Sequence, residues 1–321
     1  MGKSLSKILS DIQAQDAEIP LYINRVGIRG LKKSVTRERE DVPTHLSARF
    51  EVYVDLPASQ KGIHMSRNLE ALNAVIDRAV ETDTSDTEIM CGLIAQDLLQ
   101  RQPTATEACV KLVADYFLKK TTPQSNKEIS AHYLLKARAR SVRKSDGSID
   151  TWKTIGIKAT GITVCPCSVE LTRDYGEEKL QELGYTSEQI NEILEIVPLA
   201  SHNQRSESYL SISLPFDHPS IEANDLVKIL ESSMSGEIYD LLKRPDEQYV
   251  VIKAHESPRF VEDVIRRVLV LFYKKYKSEL PPETQIWVSQ TNFESIHSYD
   301  AYAEQGTTLE NLTKEMELNG A

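Results

Sequence analysis

The sequence predicts an α+β protein made of two similar halves, each a largely antiparallel sheet backed by helices. Three observations carry this. Runs in which apolar and polar residues alternate recur along the chain, the mark of half-buried strands. Stretches with helical apolar spacing lie between them. The order strand, helix, helix, strand, strand in the first half returns loosely in the second.

Taken in order, Phe50, Val52, Val54 and Leu56 alternate with Arg49, Glu51, Tyr53 and Asp55 and form a strand. Leu69, Leu72, Val75, Ile76 and Ala79 keep helical spacing. A second helix is expected over 85–102, opened by Ser85 and Glu88 at capping-box spacing and closed by Pro103. Val110, Leu112, Ala114, Tyr116 and Leu118 alternate next; then Ala131, Tyr133, Leu135, Ala137 and Ala139 alternate with His132, Lys136, Arg138 and Arg140. The turn KSDGS, 144–148, is the expected boundary, dividing 1–147 from 148–321. Thr160 to Val164 reads as a strand, and a polar helical insertion at about 170–200 follows, helical from Glu177 to Ile196 with a break at Gly184. Leu210, Ile212 and Leu214 alternate with Ser211 and Ser213. Ser257-Pro258 reads as a helix start with proline first, leading into the apolar face of Val261, Val264, Ile265, Val268 and Phe272. Ile286 and Val288 mark a late strand. Each half leaves a sheet face to cover, so an oligomer is expected.

Composition narrows the function. A chain of 321 residues can bury a large core and fill two domains. A formal net charge of −10 argues against a duplex nucleic-acid binder, which needs a basic footprint. A small anionic substrate stays open, given a local basic pocket. No window approaches the apolar run of a membrane helix, and residues 1–15 lack the apolar core of a secretory signal. Four cysteines make no disulfide framework, and Cys165 and Cys167 stand too close to bridge each other, so free thiols in a reducing cytoplasm are expected.

The chemistry-bearing stretches begin with TGITVCPCS, 160–168. Two positions apart in a strand, Cys165 and Cys167 would share a face, with Pro166 ending the ladder. They read either as two small buried hydrophobes or as a thiolate metal ligand beside a reactive thiol. In SHNQRS, 201–206, His202 precedes a strand among polar neighbours, and Arg205 offers a fork of donors for phosphate or carboxylate; a solvated loop is the plain alternative. In KGIHMSR, 61–67, Ser66 is expected to cap the following helix, which leaves Lys61, His64 and Arg67 as a basic cluster at a helix N-terminus. Glu247 in LLKRPDEQYVV is expected just before an apolar strand, Glu262 in the early turns of a helix, and Glu294 and His297 three apart after the late strand. Each alone is more often structural. Together they supply carboxylate, imidazole and thiolate, the ingredients of an open metal site with three protein ligands.

KGIHMSR, CPCS, SHNQRS, LLKRPDE, FVED and NFESIH, in this order, resemble the type IB GTP cyclohydrolases from about Asp11 to Glu304. The long insertion between Cys167 and His202 resembles the archaeal, methanopterin-pathway branch. The resemblance implies a tunnelling fold of two tandem units, and homodimers or homotetramers with interfacial active sites. It implies ring opening of GTP at C8 with release of formate. The archaeal branch uses Fe(II) and gives 7,8-dihydroneopterin 2′,3′-cyclic phosphate; Mn(II) or Zn(II) are conceivable substitutes, and the bacterial, folate-pathway branch gives the triphosphate. By the same resemblance Cys165, His202 and Glu247 match metal positions, and Cys167 the neighbouring thiol. Glu262 matches the acid that accepts from guanine N1–H and the 2-amino group, and Glu294 and His297 match catalytic positions. His64, Arg67 and Arg205 are candidates for the triphosphate or ribose end, mainly by charge. Two rivals stay open. One is a tunnelling-fold nitrile reductase with a nucleophilic cysteine and NADPH; the other is a non-catalytic metal- or purine-binding protein.

Overall fold

In the computed structural model, residues 11–39, 42–82 and 86–318 are described. The expected capping box at Ser85 and the N-terminal segment before Asp11 lie outside them, as does the side chain of Ala79. Among the described residues nine strands hydrogen-bond in the order β1-β2-β3-β4-β5-β6-β8-β9, with β7 on β5. They are β1 (Ile23–Arg39), β2 (Val42–Leu56), β3 (Glu107–Thr121), β4 (Glu128–Arg143), β5 (Ile149–Val164), β6 (Asn203–Pro215), β7 (Gly236–Glu237), β8 (Gln285–Asn292) and β9 (Ala301–Thr308). The pairs β1–β2, β2–β3, β5–β7, β6–β8 and β8–β9 are antiparallel. The helices are α1 (Met65–Thr82), α2 (Thr87–Arg101), α3 (Pro166–Glu182), α4 (Ser187–Ile196), α5 (Ala223–Ser233), α6 (Arg244–His255), α7 (Val261–Tyr276) and α8 (Leu309–Leu318). No helix among the described residues is long and apolar enough to cross a membrane.

The chain forms two compact units. The first gathers residues up to Ala114 with Ala137–Thr154 and Pro215–Ser220; the second holds Asp115–Lys136, Ile155–Leu214 and the rest from Ile221. Segments of the two units alternate along the chain. The physical reason is strand length: β3, β4 and β5 run 15, 16 and 16 residues, and each supplies residues to both units.

In the first unit the alternation of β2 is realised: Phe50, Val52, Val54 and Leu56 are buried while Arg49 is exposed. Asp55 breaks the pattern and is buried, because its carboxylate accepts from the Thr106 and Glu107 backbone N–H groups, each at 2.7 Å. Helix α2 buries Met90, Cys91, Ile94, Ala95, Leu98 and Leu99. Gly92 lets it approach the Phe216 ring, which a Cβ at that position would meet at 2.3 Å.

In the second unit α7 buries the expected Val261, Val264, Ile265, Val268 and Phe272. It does not start at Ser257-Pro258. Its N-cap is Phe260, whose N–H donates to the Asp263 carboxylate at 3.0 Å. The insertion is helical from Pro166, earlier than expected, and the break falls at Gly184 with φ +88°. There Gly184 N–H donates to Gln181 O at 2.9 Å and Tyr185 N–H to Leu180 O at 3.2 Å, a Schellman ending. Helix α3 buries no residue; α4 buries Ile190 and Leu194.

Candidate active site

Strand β5 stops at Val164, held on both sides. Val164 N–H donates to Ser235 Oγ at 3.2 Å, and its carbonyl accepts from Arg259 N–H at 2.9 Å. Cys165 is then the N-cap of α3, in extended conformation with φ −73° and ψ 118°. The two cysteines therefore do not share a strand face. Pro166 has no N–H to extend a ladder, and its fixed φ suits the first helical position. Cys165 is half-buried and Cys167 exposed, which excludes the reading of both as buried hydrophobes. Cys91 and Cys109 are the buried ones, and burial pushes the Cys91 thiol well above the usual range.

The backbone brings His202 to Cys165. Cys165 N–H donates to His202 O at 3.2 Å, and Ser201 Oγ donates to Cys165 O at 2.7 Å. The β6–β8 ladder then delivers Glu294. Ser206 pairs with Asn292, and Phe293 N–H donates to Arg205 O at 3.0 Å. Glu294 Oε2 lies 3.7 Å from His202 Nδ1, with the two side chains only 10% and 12% exposed. That oxygen is buried without a hydrogen bond. The His297 ring stands edge-on to His202 at 6.4 Å and stacks on Tyr299 at 5.1 Å. Thus Cys165, His202, Glu294 and His297 are gathered at one strand end.

Other expected residues sit differently. Glu247 does not precede a strand: it lies exposed in the first turn of α6. That helix is fixed by the buried Asp246, whose carboxylate accepts from Lys243 N–H at 2.8 Å and Ser125 Oγ at 2.6 Å. Glu262 is in the first turn of α7 as expected, but exposed, with capping left to Asp263. Arg205 is exposed on β6 and has no side-chain partner among the described residues. It lines a cavity of about 230 Å³ with Tyr133, Thr160, Glu231 and Tyr239. His64 and Arg67 belong to the first unit. Ser66 does not cap α1, being its second residue. His64 Nε2 meets the Asp11 carboxylate at 2.9 Å, and that hydrogen bond holds the Asp11 carboxyl below its usual range. Arg67 donates to Arg101 O at 3.1 Å.

The implied metal would need three ligating side chains converging on one point. Among the described residues no three His, Cys, Asp or Glu side chains form a group able to hold an ion. Cys165 and His202 adjoin through their backbones, but the exposed Glu247 does not complete the expected set, so the arrangement does not fit it. Sequence reasoning also passed over Gln204, Ser201, Arg259 and Tyr299. Ser201 and Gln204 carried a signal, both lying in SHNQRS beside His202, Gln204 at strand spacing from it.

Over residues 9–303 the chain matches the family profile described as type I GTP cyclohydrolase folE2. A protein of Methanocaldococcus jannaschii named GTP cyclohydrolase MptA is 39% identical over 307 residues, covering 95% of this chain and 97% of the relative. One of the same name from Methanothermobacter thermautotrophicus is 40% identical over 313 residues, covering 97% of each. Among solved structures, a uricase from Bacillus fastidious superposes with a TM-score of 0.52 at 10% identity, covering 93% of this chain and 97% of the other. That likeness shows the shared tunnelling fold alone.

Proposed function

The chain belongs to the type I GTP cyclohydrolase family, and from that premise we propose that it opens the imidazole ring of GTP at C8 with release of formate. The sugar then rearranges and closes the pyrazine ring with loss of water, and a side-chain hydroxyl displaces diphosphate from the triphosphate, which gives 7,8-dihydroneopterin 2′,3′-cyclic phosphate, destined for methanopterin biosynthesis. The observation that carries the reading is the gathering of Cys165, His202, Glu294 and His297 at the end of β5.

Glu262 holds the base by accepting from N1–H and the 2-amino group. An exposed carboxylate, not consumed in capping its own helix, is free to do so. Water adds at C8 while N7 takes a proton; the C8–N9 bond then breaks with a proton delivered to N9. A second water removes the formyl carbon as formate. His202 is the group that moves these protons, with the buried Glu294 carboxylate 3.7 Å from its Nδ1. His297, edge-on to that ring, supplies the second imidazole. Iron(II), with Mn(II) or Zn(II) as substitutes, is part of the proposal as an activator of water. Its ligand set is not assembled among the described residues, and none of these steps is routed through it. Homodimeric or homotetrameric assembly is likewise proposed from the resemblance.

The test is anaerobic incubation of Fe(II)-reconstituted protein with GTP, with formate quantified and the pterin weighed by mass spectrometry. Absence of formate refutes the reaction. A triphosphate product assigns the folate-type outcome instead.

A further inference from the structure

The two imidazoles of the site are held in different ways. His202 has polar neighbours, Gln204 Oε1 at 3.2 Å and Glu294 Oε2 at 3.7 Å. His297 has none: among the described residues no hydrogen bond or ion pair reaches its ring. It belongs to the connection between β8 and β9, residues 293–300, which contains no helix or strand and is closed at its base by the pair Asn292 and Ala301. Its side chain is exposed. Two ring contacts remain. His202 stands edge-on at 6.4 Å with an interplanar angle of 89°, and Tyr299 lies at 5.1 Å with an angle of 7°. Nearly parallel rings at that centroid distance overlap by offset faces, a favoured aromatic arrangement. Tyr299 is 63% exposed, so its ring is no part of the core. It sits two residues before Ala301, where β9 begins.

We infer that Tyr299 is a positioning residue whose ring face fixes the His297 imidazole beside His202, in a loop that offers that imidazole no polar anchor. An exposed side chain with nothing to hold it exchanges among its staggered rotamers. The stack selects the one that sets the His297 ring edge-on to His202. The selection needs the aromatic face of Tyr299 and not its hydroxyl, which has no partner among the described residues. Phenylalanine at this position therefore serves as well, and an aliphatic side chain does not. The consequence for turnover rests on the role given to His297 above; the stack itself does not.

The test reads the ring directly, in the full chain labelled with carbon-13 in its histidine rings and loaded with Zn(II), which keeps the spectrum free of paramagnetic iron. Carbon–proton correlations are recorded at one fixed pH, and the His297 signals are identified by their loss in His297→Asn. In the unaltered protein the ring current of Tyr299 should shift the His297 ring protons upfield. Tyr299→Phe should keep that shift. Tyr299→Leu should lose it while the signals of histidines outside the site stay in place, and Tyr299→Gln carries the same test if the leucine variant fails to fold. With Fe(II)-reconstituted protein and GTP, kcat for formate release should fall about 3- to 10-fold in Tyr299→Leu, the worth of one stacked aromatic pair. KM should change little, and Tyr299→Phe should keep the unaltered rate. Unshifted His297 protons in the unaltered protein, or a shift that survives in a folded Tyr299→Leu, overturns the inference. So does a raised KM at unchanged kcat, which would assign the Tyr299 ring to the substrate. A lost shift with full turnover sustains the stack and refutes the role given to His297. A protein that releases no formate refutes the reaction and leaves the ring measurement to decide the stack.

Discussion

Replacing Lys120 by methionine removes the centre of a charged cluster in the second unit. Lys120 Nζ lies 2.8 and 2.9 Å from the two Glu231 oxygens and 2.5 Å from Glu237 Oε2. Tyr133 OH also donates to Glu231 at 2.6 Å, and Lys253 reaches Glu237 at 3.4 Å. Burial opposes the Lys120 charge, but hydrogen bonds to Glu231 and Glu237 outweigh it and raise its pKa. Burial likewise works against the Glu237 charge, and the Lys120 hydrogen bond reverses it, so the Glu237 carboxyl is held below its usual range. Removing one partner of a buried ion pair costs about 3–5 kcal/mol. Here the side chains are 17%, 12% and 21% exposed and Lys253 and Tyr133 remain. The expected loss at pH 7 is therefore roughly 2–3 kcal/mol, below that range.

The pH dependence follows from the two directions. The Lys120 contribution, from a raised pKa, is complete below the unfolded value of about 10.4 and is lost as pH rises through the folded one. The Glu237 contribution, from a lowered pKa, is complete above about 4.3 and is lost as pH falls through the folded one. The variant's deficit should thus be widest near neutrality. It should narrow toward pH about 4, where Glu237, without its main cation, takes up a proton in the variant. Urea unfolding of both proteins at pH 7 and at pH about 4 measures this, with equal slopes marking a pure stability change. A deficit below about 0.5 kcal/mol, or one equal at both pH values, would refute the reasoning.

Three further outcomes are expected. Cys165→Ala should abolish formate release, while Cys91→Ala and Cys109→Ala, buried in the first unit, retain it; normal turnover in Cys165→Ala would remove the thiol from the reaction. Glu262→Gln should raise the KM for GTP about 10- to 100-fold, the worth of one or two hydrogen bonds to a charged acceptor, with the melting temperature unmoved because Asp263 caps α7; an unchanged KM would free Glu262 of the guanine. Chelation should silence the protein and Fe(II) under argon should restore formate release better than Mn(II) or Zn(II); full activity in protein shown by metal analysis to be empty would remove the ion from the reaction.

Much of the scaffold was legible because it rests on local periodicity. Phe50, Val52, Val54 and Leu56 and the stripe from Val261 to Phe272 are buried as read. What failed turned on partners distant in sequence. The apolar run after Glu247 is short enough to read as strand or helix. Asp246, gripping Lys243 and the loop at Gln124 and Ser125, decides for helix. Ser257-Pro258 has every local mark of a helix start, but Arg259 N–H is taken by Val164 O, so the chain becomes helical only beyond it. The site residues were legible by type and motif. The exposure of Glu262 and the grip of Gln204 on His202 were not, because they arise from packing and a pairing across strands.

The placement of the four cysteines also makes the protein its own labelling scaffold. Cys167 stands exposed in the first turn of α3, Cys165 is half covered, and Cys91 and Cys109 are sealed in the core. A thiol-directed reagent should therefore modify them in that order. One equivalent would place a spin or fluorescent probe on the insertion helix, two residues from the thiol under study, with no engineered cysteine. Because the Cys165 backbone is held by His202 and Ser201, a reagent that reaches its sulfur would report reactivity at a position that main-chain hydrogen bonds keep in place.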